Sequence, residues 1–79
     1  MADMLDLQDV QKRIVESIEG AEVKVTSDGY YYNVEVVSEK FTDLRAVARQ
    51  QMVYQALAAY IADGSMHAVN IKALAPQEV

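Results

Sequence analysis

The sequence predicts an α+β domain: a three-stranded mixed sheet with helices packed on one face, in the order α-β-β-α-β. Three observations carry this. Two runs of alternating apolar residues flank an Asp-Gly turn, two other stretches repeat their apolar residues every three or four positions, and a later alternating run closes the chain. At 79 residues the chain makes a single domain over positions 1–79, near the lower size at which a core forms without staples.

The first helical stretch is marked by Leu7, Val10, Ile14 and Ile18, which share one face. Asp3 or Asp6 can cap its start, Gly20 is placed to end it, and Lys12, Arg13, Glu16 and Glu19 form a solvated side. Val23 and Val25 then alternate with polar residues up to the Ser27-Asp28-Gly29 turn. Tyr32, Val34 and Val36 alternate after it, so the pair reads as a β-hairpin.

A long helical stretch is expected from about Thr42 to Asp63. Thr42 or Asp43 is the expected cap, the segment Leu44 to Ala48 is open to being a separate short turn, and Gly64 is the closing residue. Val53, Ala56, Leu57, Tyr60 and Ile61 are its expected buried stripe, with Met52 in or near the core. The last strand is read from Met66 to Leu74, with Val69 and Ile71 on one face and Pro76 ending it. The link of roughly 25 residues between the second and third strands is long enough for a crossover helix, so these two strands can run parallel.

Composition narrows the function classes. There is no cysteine, so neither a disulfide nor a thiolate metal site can staple the fold. No run of about 18 apolar residues exists to span a membrane. Met1 to Asp6 lacks basic residues and does not read as a secretory signal, so a cytoplasmic location is the default expectation. The net charge is −5, divided into −6 over residues 1–39 and +1 over residues 40–79. That is a weak electrostatic footprint for nucleic acid, and binding to random duplex is expected to be weak.

The catalytic inventory is thin: one histidine, no cysteine, and three glycines that form neither phosphate-binding motif. No catalytic residue is assigned, and an enzyme is the least supported class. His67 opens the last strand beside a turn. One reading makes it a strand-end residue bonded to backbone; the other makes it a metal ligand completed by a second molecule, since one side chain cannot complete a site. Tyr30, Tyr31 and Tyr32 suit a strand with alternating burial, or else a partner-facing aromatic among them. Arg45 and Arg49 lie one helical turn apart, as a solvated pair or as a joint site for a carboxylate or phosphate.

The stretches Val36-Val37-Ser38-Glu39-Lys40-Phe41, Val47-x-Arg49-x-x-x-Val53-Tyr54-x-x-Leu57 and Met66-His67-Ala68-Val69-x-Ile71-Lys72-Ala73-Leu74-x-Pro76 resemble the BolA family. The resemblance runs from about Val10 to Glu78. Tyr60-Ile61-Ala62-Asp63 before the His-Ala pair looks most like its bacterial IbaG-like branch.

The resemblance implies a fold related to the class II KH domain. It also implies an adaptor that binds a monothiol glutaredoxin in handling a two-iron, two-sulfur cluster, with links to iron and stress regulation. His67 is then the implied iron ligand. The glutaredoxin cysteine and its bound glutathione supply the remainder, and the chain holds no cluster alone. Tyr31, Lys40, Arg45, Arg49 and Lys72 are the expected partner or nucleic-acid surface. A homodimer is left open.

Two departures stand out. Many family members carry a second histidine or cysteine where this chain has Tyr31, and a phenol with a pKa near 10 is a poor substitute. Asp28 in the turn is a hard oxygen donor, ill matched to a soft cluster. Both weaken the shared-cluster reading and leave docking of the cluster-free proteins untouched. Asp43 stands where relatives commonly have glycine. The alternative function, a DNA-binding regulator using the KH-like fold, lacks the GXXG loop with which KH domains clamp a backbone, and Glu39 lies where a phosphate would approach.

Overall fold

The computed structural model describes residues 6–28 and 30–79. Helix α1 spans Leu7–Ser17, and Asp6 caps it by accepting the Gln8 N–H at 2.9 Å. The alternative cap, Asp3, lies outside the described residues. The helix ends at Ser17, earlier than Gly20 suggested; Gly20 instead turns the following loop with φ +77°. Val10, Ile14 and Ile18 are buried as their spacing requires, with Leu7 packed at the margin.

Strand β1 (Glu22–Ser27) pairs antiparallel with β2 (Tyr31–Val37), and β2 pairs parallel with β3 (Ala68–Leu74), in the order β1-β2-β3. The expected mixed sheet and element order are therefore present. β3 begins at Ala68, two residues later than the sequence suggested, because Met66 is buried under the helix end and His67 forms the approach. In β2, Tyr32, Val34 and Val36 face the helices while Tyr31, Asn33 and Glu35 face outward.

Helix α2 covers Ala46–Ala62, so the expected start near Thr42 is too early. The intervening residues do other work. Ser38 turns the chain by accepting the Lys40 N–H at 3.1 Å, Glu39–Phe41 form one 3-10 turn, and that turn buries Phe41 completely. Neither Thr42 nor Asp43 caps α2; Arg45 sits at that position in extended backbone without a side-chain bond.

At the other end Gly64, with φ +81°, reverses the chain. Its N–H returns to the Ile61 carbonyl and the Met66 N–H to that of Tyr60. Val53, Ala56, Leu57 and Tyr60 are buried, but Ile61 is 38% exposed and leaves the expected stripe.

One core thus lies between the helix layer and one sheet face, with Val69 and Ile71 packed against it. Tyr60 ties the helices together through its hydroxyl, which donates to Asp9 at 2.5 Å, while Arg13 lies over its ring. Burial first, and then the Asp9 bond, push the Tyr60 pKa above the usual phenol value. Pro76–Glu78 add a final 3-10 turn. Among the described residues no helix is long and apolar enough to cross a membrane.

Candidate functional site

The parallel register sets the geometry around His67. Tyr31 is opposite Ala68, so continuing the ladder one residue back places Tyr30 opposite His67. Their rings stack, with centroids 6.2 Å apart and planes 11° from parallel, and Tyr31 meets Tyr30 edge-on at 5.0 Å. Tyr30 and Tyr31 are 58% and 49% exposed, and His67 is also exposed. The result is an open corner of three aromatic rings at the starts of β2 and β3.

Both approaches to this corner are held firmly. Asp28 accepts the N–H groups of Tyr30 and Tyr31 at 3.0 and 2.9 Å, an Asx-type turn. Those bonds, that of Tyr30 first, hold the Asp28 carboxyl below its ordinary pKa. On the β3 side, Asp63 accepts the Ser65 N–H at 2.8 Å and buried Met66 anchors the chain just before His67. Asp63 also has a lowered pKa, through its side-chain and backbone bonds with Ser65.

The imidazole itself is uncommitted: among the described residues it takes part in no hydrogen bond or salt bridge, only the ring contact with Tyr30. Nor, among the described residues, do any three His, Cys, Asp or Glu side chains gather to hold a metal within one chain. A neutral imidazole offers a nitrogen lone pair to a metal. At this corner that nitrogen can ligate only as one member of a set completed from outside.

The expected cations do not join it. β2 is seven residues long, about 20 Å, and Lys40 and Arg45 follow its far end. Arg49 lies there too, and it is not paired with Arg45. Its two terminal nitrogens donate to Glu78 at 2.6 and 3.0 Å, Nε donates to the Leu44 carbonyl at 2.9 Å, and one terminal nitrogen also reaches the Ala73 carbonyl at 3.2 Å. Of the two readings of Arg45 and Arg49, a solvated pair or a joint site for a carboxylate or phosphate, neither describes Arg49, which forms an internal clasp on the chain's own tail. Arg49, first of its causes, and the Ala75 N–H lower the Glu78 pKa to about 2. Lys72 stands on the open sheet face, in register with Glu35.

Sequence reasoning missed the stacking of Tyr30 on His67 and the role of Glu78. The parallel register, had it been set, would have revealed the first. Nothing local signals the second, which lies 29 positions from Arg49.

Two helices over a three-stranded mixed sheet, with one imidazole presented at the strand-opening corner, form a BolA-type domain. Residues 8–78 match the family model described as BolA-like protein, and the chain belongs to the BolA family. It is 38% identical over 74 residues to the acid stress protein IbaG of Escherichia coli, covering 94% of this chain and 88% of that one. An uncharacterised protein of Acinetobacter guillouiae is 41% identical over 58 residues, 73% of this chain and 70% of the other. The structure of a BolA homologue from Coxiella burnetii matches with a TM-score of 0.80 at 25% identity, over 95% of this chain and 96% of that one.

Proposed function

We propose that this protein is an adaptor that docks on a monothiol glutaredoxin and shares a two-iron, two-sulfur cluster with it, His67 supplying one ligand. The cluster is cargo. The glutaredoxin cysteine and glutathione hold it, and His67 adds imidazole nitrogen to one iron, a substitution of histidine for thiolate that iron–sulfur chemistry tolerates.

The observation that carries this reading is the state of His67. It is exposed on a braced strand opening and, among the described residues, bonded to nothing that ligation would have to displace. A purely structural strand-end histidine would be tied to backbone, and among the described residues this one is not. The name of the E. coli relative, an acid stress protein, supports extending the proposal to stress or iron regulation, with the cytoplasm as the site of action.

Mixing the protein with cluster-loaded monothiol glutaredoxin tests it. Native mass spectrometry should show a complex containing both chains, one cluster and glutathione, and the visible spectrum should depart from that of the glutaredoxin alone. No complex, or a complex with an unchanged spectrum, refutes the shared-cluster reading.

A further inference from the structure

An exposed histidine without hydrogen bonds has a loosely defined ring. The outer torsion of the side chain has a broad well, so only contacts fix the plane of the imidazole. His67 makes no hydrogen bond among the described residues, and its ring contact is with Tyr30, whose plane lies 11° from its own at 6.2 Å. Tyr30 is itself held. Its N–H donates to Asp28 at 3.0 Å, and the Tyr31 ring meets it edge-on at 5.0 Å. The orientation of the imidazole therefore passes from the Asp28 turn through one aromatic ring.

The strand order gives this contact a direction. Tyr30 covers the flank of His67 that faces β2, and β3 is the edge strand, so no strand covers the other flank. The lone pair of an imidazole nitrogen lies in the ring plane, so a metal binds at the rim of the ring and not on its face. A ring stacked on the face fixes the plane and leaves both nitrogens clear. Tyr30 is 58% exposed, so its side chain contributes little to the core.

We infer that Tyr30 is a positioning residue for His67, holding the imidazole plane ready for a metal that a partner brings. This rests on the shared-cluster reading and deepens it. With Tyr31 where a second imidazole or thiol would serve, the chain offers the iron one nitrogen ligand. The cost of freezing that ligand then falls on a single bond, and a ring already held in place lowers it. The aromatic face does this work and the phenol hydroxyl does not, so phenylalanine suffices at position 30.

Three variants test the assignment: Tyr30→Phe keeps the ring, while Tyr30→Leu keeps apolar bulk without it and His67→Ala removes the ligand. In the cluster-free protein, nuclear Overhauser contacts should join the two rings in wild type and in Tyr30→Phe. On mixing with cluster-loaded monothiol glutaredoxin, Tyr30→Phe should match the wild-type cluster lifetime. Tyr30→Leu should shorten it about two- to tenfold, the range one ring pair supplies, and shift the visible spectrum toward that of the glutaredoxin alone. Added to His67→Ala, Tyr30→Leu should change neither readout, because it acts through the imidazole. Circular dichroism checks folding, and Tyr30→Ser takes the place of Tyr30→Leu should that variant unfold. Absence of the Overhauser contacts in wild type, an effect of Tyr30→Leu that persists without His67, or a Tyr30→Phe loss equal to that of Tyr30→Leu would overturn the inference. A wild-type protein that leaves the glutaredoxin spectrum unchanged refutes the shared-cluster reading and the inference with it. A wild type that changes the spectrum, matched by Tyr30→Leu, refutes the inference alone.

Discussion

The two ends of the sheet treat their one conspicuous polar side chain in opposite ways. At the end where β2 and β3 begin, His67 stands exposed with no hydrogen bond among the described residues, on a backbone braced by Asp28, Asp63 and Met66. At the other end, Arg49 is 12% exposed and donates to Leu44, Ala73 and Glu78. Arginine offers five donors in a planar fork, and here the fork is filled from within the chain. Both residues looked like binding groups in the sequence. The contrast teaches that a polar side chain is free for a partner to the extent that its own fold leaves it unbonded.

The change with the largest expected effect breaks the layer beneath both ends. Leu57 is fully buried between helix and sheet, and Leu57→Ala should destabilise by about 2–5 kcal/mol in denaturant unfolding. A loss below about half a kcal/mol would show that the two ends are not braced by a common core.

A smaller effect is expected at the clasp, and it depends on pH. Because Arg49 depresses the Glu78 pKa from 4.5 to about 2, this carboxylate stabilises the fold above its unfolded value. The contribution fades as pH falls from 4.5 through about 2, as protonation releases the guanidinium. Glu78→Gln should therefore lower the melting temperature at neutral pH, and the gap to wild type should close across that acidic window. A gap that persists at the lowest pH would mean that the clasp acts by packing and not by charge.

At the open end, Tyr31→His should change stability least, because the side chain is half exposed on the sheet face. It should lengthen the lifetime of the shared cluster, followed by the decay of visible absorption, by offering a second imidazole near the first. An unchanged or shortened lifetime would show that position 31 does not reach the cluster.

Much of this architecture was legible in the sequence, for identifiable reasons. Period-two alternation around Asp28-Gly29 defined the hairpin, and the long link before His67 allowed the parallel pairing. The start of α2 was not legible. Thr42 and Asp43 have capping chemistry, but burying Phe41 needs a 3-10 turn there, and tertiary packing overrides a local cap signal. Ile61 fits the helical period and still lies exposed, since the period reports a face and not what covers it. Of the site, His67 and Tyr31 could be named from the resemblance. The Tyr30 stack required the strand register, and the Arg49–Glu78 clasp required the folded tail.

The central claim is that His67 serves a partner and not the fold. It is tested by comparing wild type with His67→Ala in two readouts on the same samples: thermal unfolding alone, and the visible spectrum after mixing with cluster-loaded monothiol glutaredoxin. The expected outcome is a stability change within about half a kcal/mol, retained docking of the cluster-free proteins, and a spectrum shifted toward that of the glutaredoxin alone as one iron loses its nitrogen ligand. A variant that unfolds while its remaining folded fraction gives the wild-type spectrum would contradict the account and make His67 a structural residue.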